Sequence, residues 1–534
     1  MDFEWIAIAL GDVAWIATAF VLGLLSRIVG LPPLVGFLAT GFLLNLLGIG
    51  SGEMLQKLSD LGITLLLFIV GLKLNIRTLV RPQVWAVTGL HMSVVVLVLG
   101  TAIHLLAAAA TPLFYGLELS RSLLIALALS FSSTVFATKV LEDRAETASL
   151  HGRVAVGILV AQDLVAVVFL AVSAGSWPTA WALLLLLLIP LRPLLTRVLD
   201  FVGHGELMAL YGFVLALGGA EAFELVGLKA DMGALSWGVL IAGHGKSDEM
   251  AKTMLGFKDL FLLGFFLTIG LSGELTTEAL LIGVSMTPLV FLKSALFFGL
   301  MTGFKLRART SLLASLNLTT FSEFGLIVAA IGVNRNWIDG RWLIVIAVAL
   351  ALSCAISARL NVTADRIYAR YRSTWQRLQR PERLADDRPP DMGGVAMAVI
   401  GMGRVGTGAY DDVVRMRRGT VIGVDMDPAA VQRHRSSGRD VLLGDPSDGD
   451  FWDRVHSAHN LELVMLALPN LSCSLAALNQ LKAASSSVRV AATARFQDEV
   501  ERLRQAGASE VFNVYAEAGS GFAAHATART TARE

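Results

Sequence analysis

The sequence contains few charged residues and only two cysteines. Lys, Arg, Asp and Glu make up 16% of its 534 residues, and the mean hydropathy is +0.65. Soluble domains carry about 25% charged residues, so most of this chain is expected to lie in a membrane. The cysteines, Cys354 and Cys473, fall in different regions and indicate neither a disulfide framework nor a metal site.

The shortage of charge is uneven along the chain. Residues 1–366 form a series of apolar runs of about 20 residues, the length of helix that crosses a bilayer. Residues 367–393 are polar and rich in arginine, and we predict a cytoplasmic linker there. Residues 394–518 alternate short strand-like and helical patterns, which is typical of a soluble α/β domain, and a polar tail follows at 519–534.

About thirteen transmembrane helices are predicted in the first region. Their approximate centres are residues 17, 39, 65, 95, 130, 164, 188, 216, 238, 265, 290, 321 and 352. Lys and Arg concentrate in alternate loops, so the positive-inside rule places those loops and the α/β domain in the cytoplasm and the N-terminus outside. The first residues lack a basic region and a cleavage site, so we expect a retained span rather than a signal peptide.

One span, GILVAQDLVAVVFLA (157–171), carries Gln162 and Asp163 at its middle. A carboxylate at the centre of a membrane helix costs roughly 2.5–3.5 kcal/mol. It could be tied into a buried hydrogen-bond network, or it could be a site where a proton and a transported monovalent cation compete for one carboxylate. We favour the second interpretation, with Gln162 adding a neutral carbonyl oxygen, because intramembrane carboxylates are functional by default.

Two other spans change from polar to apolar along their length. SFSSTVFATKVLED (130–143) contains Ser132, Ser133 and Thr134, and SLNLTTFSEFGLIVAAIG (315–332) contains Glu323 among hydroxyl and amide residues. Hydroxyls in spans can be helix-packing contacts. They can also mark helices that unwind near the midplane and coordinate ions, and two such spans in corresponding halves predict an inverted-repeat transporter with its site between them.

A lysine, Lys293, lies in the span TPLVFLKSALFFGL. Near a span end, its side chain would reach the membrane surface. Nearer the midplane it would face the helix bundle and need a carboxylate partner, for which Asp163 and Glu323 are the candidates.

Together these segments resemble the monovalent cation:proton antiporter-2 family, particularly its Kef-type potassium efflux antiporters. The matching segments are GLPPLVGFLATGFLLN, LSDLGITLLLFIVGLKL, SFSSTVFATKVLED, AQDL, GFKDLFLLGFFLTIGL and FSEFGLIV. They follow one another over about 500 residues in the family's order. The chain departs from the family at Lys73, where Glu is usual, and at Ser322, where Gly is usual.

The resemblance implies an inner-membrane homodimer with about thirteen helices, an inverted repeat and crossed broken helices. It implies alternating access around Asp163 as the carrier of cation and proton, with Gln162 beside it and Ser133 and Thr134 at the helix break. Lys293 and Glu323 are further candidates for the ion and proton site. Kef-type proteins also imply control by an ancillary subunit or by glutathione-type ligands.

The α/β domain begins with a nucleotide-binding pattern, VAMAVIGMGRVGTGAYDDVV. Gly401, Gly403 and Gly406 fit G-x-G-x-x-G between a predicted strand and helix, with Arg404 inside the motif, and Asp425 ends the next strand about twenty residues later. Such glycines permit a tight turn and close approach to a pyrophosphate, and the acid can bind ribose hydroxyls. The alternative is a nucleotide-free α/β fold that keeps the turn.

This domain resembles the TrkA-N domain, also called the regulator of potassium conductance domain. The resemblance places Asp445 near the nucleotide and implies NAD(H) or an adenine nucleotide (AMP or ATP) as a regulatory ligand. No catalytic acid, base or substrate domain follows in the sequence, so we predict a ligand-sensing gate rather than a dehydrogenase.

These observations predict a potassium:proton antiporter, not an enzyme, with the lipid bilayer as its surroundings and no nucleic-acid partner. A sodium:proton antiporter is the alternative, because selectivity depends on cavity size and ligand stiffness. A ligand-gated potassium channel is disfavoured because the chain has no TVGYG-like filter. A membrane oxidoreductase would need a hydride-acceptor site that the sequence does not reveal.

Overall fold

The computed structural model has two compact units, each described by itself below. The helical unit comprises Met1–Ala137 and Val154–Arg380, and the α/β unit comprises Thr138–Arg153 and Pro381–Glu534. The structure describes residues 4–29, 33–49, 52–73, 81–109, 114, 117–144, 146–173, 188–271, 275–382, 384, 387, 395–416, 421–448, 451–452, 461–483 and 488–531.

The first 380 residues are helical wherever they form regular structure in the described part. The helices are α1 (Glu4–Ile28), α2 (Pro33–Leu46), α3 (Glu53–Lys73), α4 (Pro82–Ala108), α5 (Leu119–Ser130), α6 (Thr134–Asp143), α7 (Leu150–Ser173), α8 (Leu188–Val202), α9 (Glu206–Glu224), α10 (Ala230–Ile241), α11 (Ser247–Leu271), α12 (Thr277–Met286), α13 (Leu289–Gly303), α14 (Ala308–Asn317), α15 (Glu323–Asn334), α16 (Arg341–Arg370) and α17 (Arg372–Arg377).

Among the described residues, seven helical stretches are long and apolar enough to cross a membrane, or eight if one bent pair is counted as a span. Shorter apolar helices lie near the predicted centres 17, 39, 238 and 321. The predicted helical transmembrane domain is therefore confirmed, whereas the number thirteen stays a prediction. The residues before the predicted centre at 188, 174–187, lie outside the described part.

Several helices of the helical unit cross through glycines. A Cβ placed on Gly41 of α2 would lie 2.7 Å from the Cα of Gly270 on α11. One placed on Gly71 of α3 would lie 2.9 Å from the Cα of Gly238 on α10. Small residues let helix backbones approach closely in apolar surroundings, where packing rather than water exclusion holds helices together.

Both predicted interruptions are present in the structure. Helix α5 ends at Ser130 and α6 begins at Thr134, while α14 ends at Asn317 and α15 begins at Glu323. The hydroxyl residues explain why the second helices begin there, since side-chain oxygens satisfy the free amide groups of a first turn. Ser133 Oγ accepts from the Phe136 amide at 3.3 Å, and Ser322 Oγ accepts from the Phe324 amide at 3.1 Å.

The α/β unit contains a six-stranded parallel sheet in the order β3-β2-β1-β4-β5-β6. Its strands and helices are β1 (Met397–Ile400), α18 (Arg404–Met416), β2 (Val421–Asp425), α19 (Pro428–Ser436), β3 (Val441–Leu443), β4 (Leu463–Leu466), α20 (Leu471–Ala483), β5 (Arg489–Ala494), α21 (Gln497–Ala506), β6 (Glu510–Asn513) and α22 (Val514–Thr531). The central strand β1 is buried throughout, as expected for a parallel sheet covered on both faces. This order confirms the predicted Rossmann-like fold.

The domain borders differ in detail from the sequence-based ones. Residue 366 lies inside α16, so the predicted linker begins as a continuation of a long helix. Residues 519–531 of the predicted polar tail belong to helix α22. Residues 138–153 group with the α/β unit although they precede it by more than 200 positions, because the grouping follows tertiary contacts that composition does not reveal.

Candidate ion site and nucleotide site

The two helix interruptions contact each other inside the helical unit. Ser132 Oγ donates to the Leu318 carbonyl at 3.0 Å, and the Ser133 amide donates to Thr320 Oγ1 at 3.0 Å. Backbone groups that an unwound segment frees need partners in an apolar environment. Each interruption therefore supplies partners for the other, and the polar halves of both spans meet at one place.

Asp163 lies beside the first interruption, as predicted. Its carboxylate is buried, with the residue 1% exposed, and both oxygens accept from Thr134 Oγ1 at 3.2 and 3.1 Å. Thr134 is the first residue of α6, so the carboxylate lies near the partially positive N-terminal end of that helix. The geometry brings Asp163 and Thr134 together as the sequence suggested.

Gln162 has a different environment from the one expected. Its Oε1 accepts from the Ser132 amide at 3.0 Å, and its Nε2 donates to the Ser130 carbonyl at 3.2 Å. The side chain therefore satisfies one amide and one carbonyl that the end of α5 leaves without helical partners. Its oxygen is engaged in holding the interruption.

Glu323 lies at the second interruption and is also buried, with the residue 2% exposed. Its Oε2 accepts from Ser133 Oγ at 2.9 Å. Its Oε1 is buried without a hydrogen-bond partner among the described residues. A buried acceptor without a donor is costly, so this oxygen is available to a proton or a cation.

The partners of Lys293 differ from the predicted carboxylate partner. Its ammonium is buried and donates to the Phe131 carbonyl at 2.6 Å and to the Thr320 carbonyl at 3.1 Å. It binds these two backbone oxygens, one at each interruption, rather than Asp163 or Glu323. The sequence could not predict these partners, because every residue has a backbone carbonyl whatever its type.

The charged groups match the polarity of the helix ends. Lys293 lies at the carbonyl ends of α5 and α14, which carry partial negative charge, while Asp163 and Glu323 lie at the amide ends of α6 and α15, which carry partial positive charge. Such paired half-helix ends are where discontinuous transporter helices bind ions.

Two residues near this cluster were not predicted as site residues. Ser353 of α16 accepts from the Phe321 amide at 3.0 Å and so supports the second interruption. His91 of α4 is fully buried and stacks on Phe297 at 3.5 Å between ring centroids. The signal for His91 was an ionisable side chain inside an apolar span.

The predicted glycine loop has the geometry that the motif requires. Gly401 has φ +92°, and a Cβ there would lie 2.5 Å from the Ala467 carbonyl oxygen. A Cβ on Gly406 would lie 1.8 Å from the Gly401 carbonyl oxygen, so helix α18 packs close to the loop. No atom of the described residues lies within 4 Å of a Cβ on Gly403, so the described part of the chain leaves room there for a ligand.

Two acidic residues follow strands β2 and β3 at the same edge of the sheet as this loop. Asp425 ends β2, and its two oxygens accept from the Met402 and Asp427 amides, both at 2.9 Å. Asp445 follows β3, and its Oδ1 accepts from the Ser447 amide at 2.9 Å. Arg404 begins α18 and is exposed. The room above Gly403 and the carboxylate at the end of β2 fit the pyrophosphate and ribose of a nucleotide.

A helical membrane domain in which two crossing helix breaks meet beside buried carboxylates defines an ion-transporting membrane protein. The transmembrane model of the sodium/hydrogen exchanger family matches residues 16–361, and the chain belongs to this family. The TrkA-N domain model matches residues 397–514. The predicted resemblance to Kef-type cation:proton antiporters with a TrkA-N domain is confirmed.

Individual curated proteins and solved structures are similar to this chain. The chain is 27% identical over 507 residues to the glutathione-regulated potassium-efflux system protein KefC of Cronobacter sakazakii, covering 90% of this chain and 78% of that protein. It is 26% identical over 508 residues to KefC of Escherichia coli, with the same coverage. Among solved structures, the sodium proton antiporter MjNhaP1 from Methanocaldococcus jannaschii has 14% identity and a TM-score of 0.48, covering 68% of this chain and 99% of that one.

Proposed function

We propose that this protein exchanges potassium ions for protons across the inner membrane, with Asp163 as the carrier. The observation that carries the proposal is the Asp163 carboxylate, which is 1% exposed beside a helix interruption. A single carboxylate holds either a proton or a desolvated cation at full strength. Alternating access to the two sides then converts this competition into exchange.

The neighbouring groups divide into cation ligands and supports. Thr134 Oγ1 contacts both Asp163 oxygens and is positioned to coordinate a cation there. Gln162 acts as a positioning residue, because its amide already bonds the backbone of the interruption. Lys293 neutralises the carbonyl ends of both first half-helices and so keeps the two interruptions together.

Glu323 is the second candidate for a proton or cation. Its unpartnered Oε1 and its bond from Ser133 place an acceptor at the other interruption. If Asp163 acts alone, one proton is exchanged per cation and the exchange is electroneutral. If Glu323 binds a proton while Asp163 binds the cation, the number of protons exchanged per cation changes.

Potassium is favoured because the KefC relatives, whose alignments cover 90% of this chain, are named as potassium-efflux proteins. Sodium is the second candidate, because the matching family is that of sodium/hydrogen exchangers. Both ions would use the same carboxylate, so the choice lies in the size and stiffness of the oxygen cage.

The α/β unit supports a regulatory role on the cytoplasmic side. The room above Gly403 and the carboxylate of Asp425 would hold NAD(H) or an adenine nucleotide, bound and not turned over. A ligand that binds one conformation more tightly shifts the transporter towards it. We further propose a homodimer, with an ancillary subunit as an additional level of control.

The test is exchange driven by a pH gradient in proteoliposomes, with K⁺, Na⁺ and Li⁺ compared in one assay. Asp163→Asn should abolish exchange of every cation, because the amide cannot release a proton. Asp60→Asn, which removes a carboxylate from α3, is the matched control and should exchange normally. Wild-type rates in Asp163→Asn would refute the carrier assignment, and cation flux without proton movement would indicate a channel.

A further inference from the structure

The α/β unit includes a short stretch that precedes the Rossmann fold by more than 200 residues. It consists of residues 144 and 146–153 and is called the bridging segment below. Arg153 Nη1 donates to the Met426 carbonyl at 3.4 Å. At the other end of the segment, the Arg144 carbonyl accepts from the Cys473 thiol at 3.2 Å.

These two contacts lie on opposite sides of the glycine loop. Met426 directly follows β2, and Cys473 lies in the first turn of α20, which follows β4. Strand β1, which leads into the glycine loop, lies between β2 and β4 in the sheet. The bridging segment therefore spans the carboxyl end of β1, where open α/β sheets bind their ligands.

The bridging segment has a fixed internal structure. Glu146 is buried and accepts from Arg144 at 2.9 Å and from His151 at 3.1 Å. A Cβ on Gly152 would lie 2.2 Å from the Glu146 carbonyl oxygen, so the turn is closely packed. Burial alone would raise the pKa of Glu146, but the hydrogen bond and charge of His151 and the charge of Arg144 outweigh it, and the pKa lies below its ordinary value.

The segment carries two arginines near the carboxyl ends of the strands. The strand ends contribute the carboxylates Asp425 and Asp445, and the Rossmann loop contributes Arg404. Arg153 adds a guanidinium whose Nη1 donates to the Ala148 and Met426 carbonyls, and Arg144 adds one that pairs with Glu146 at 2.9 Å. Phosphate groups are bound most strongly by charge-assisted hydrogen bonds from arginine.

We propose that the bridging segment is a wall of the nucleotide site, and that Arg153 and Arg144 bind a nucleotide jointly with the glycine loop. This inference rests on the proposed binding of a nucleotide by the α/β unit. The segment is continuous in the chain with α6, which begins at Thr134, and with α7, in which Asp163 lies ten residues beyond Arg153, or about 15 Å along the helix. The proposed nucleotide site thus includes the segment of chain that joins the two helices of the candidate ion site.

The experiment is calorimetric titration of the full-length protein in detergent with ADP and with NAD. Arg153→Gln should weaken binding of the ligand that wild type binds by about tenfold, the loss expected for a charge-assisted hydrogen bond. Arg153→Lys, which keeps the charge, should recover part of the affinity. Arg415→Gln is the matched control, because it removes an exposed guanidinium of α18 that pairs with Asp412.

Arg144→Gln gives a second, independent probe if Arg153→Gln does not fold, and it should weaken binding severalfold. If the folded variants bind as tightly as wild type, the bridging segment is not part of the site, although the nucleotide gate stands. If wild type binds neither ligand, both the inference and the proposed gate are wrong.

Discussion

At the scale of single residues, the buried polar side chains do more structural work than their types suggest. Gln162 and Lys293 both bond the backbone of the helix interruptions. The sequence located both residues correctly inside apolar spans, but it suggested an ion ligand and a carboxylate partner. Residue type reports the charge a side chain carries, whereas its partner depends on how helices far apart in the chain cross.

Lys293 offers a test of this structural role. Lys293→Met keeps the shape of the side chain but leaves the Phe131 and Thr320 carbonyls without their donor. An unsatisfied buried acceptor costs about 1–3 kcal/mol, so we expect a lower unfolding temperature in detergent. Lys293→Gln retains an N–H donor and should lose less stability. Equal unfolding temperatures for wild type and Lys293→Met would show that these bonds contribute nothing.

At the scale of helices, the two interrupted spans depend on a close crossing. A Cβ on Gly325 of α15 would lie 2.2 Å from the Ala128 carbonyl oxygen of α5. That approach lets Glu323, two residues earlier, reach Ser133. The hydroxyl-rich sequences predicted where the helices break, because serine and threonine cap helices. They did not predict the crossing, which depends on tertiary packing.

Gly325→Ala should therefore disrupt the candidate ion site, although Gly325 does not itself contribute a polar side chain to it. The added methyl group meets backbone, which no rotamer change relieves, and overpacking of this kind costs about 1–3 kcal/mol. Both the unfolding temperature and the exchange rate in proteoliposomes should fall. Gly299→Ala on α13, where no atom of the described residues lies within 4 Å of the new Cβ, should leave both unchanged. Normal exchange by Gly325→Ala would show that the close crossing of α5 and α15 is not needed for the site.

At the scale of the whole molecule, composition and periodicity were enough to predict the fold class of each of the two domains. Apolar runs predicted the helical membrane domain, and alternating strand and helix patterns with Gly401, Gly403 and Gly406 predicted the Rossmann-like sheet. They could not predict that residues 138–153 group with that sheet. Local patterns describe neighbours in the chain, whereas this grouping joins positions more than 200 residues apart.

Nucleotide binding should increase the free energy of unfolding of the full-length protein. A ligand that binds only the folded state adds about 2.7 kcal/mol at one hundred times its dissociation constant, so ADP or NAD should raise the unfolding temperature in scanning fluorimetry. Gly401→Ala should remove the increase, because φ +92° and the Ala467 carbonyl leave no place for a methyl group. Gly408→Ala on α18, where the described residues leave open space around the new Cβ, should retain the increase.

The glycine crossings of the helical unit have a consequence for sequence divergence. A Cβ at Gly41 or Gly71 would meet the backbone of the opposite helix, so even the smallest replacement cannot be absorbed by a neighbouring side chain. Exposed residues on the same helices, such as Leu46, face no such limit. Substitutions should therefore accumulate on the outward surfaces of these helices and stay rare at the glycine crossing points.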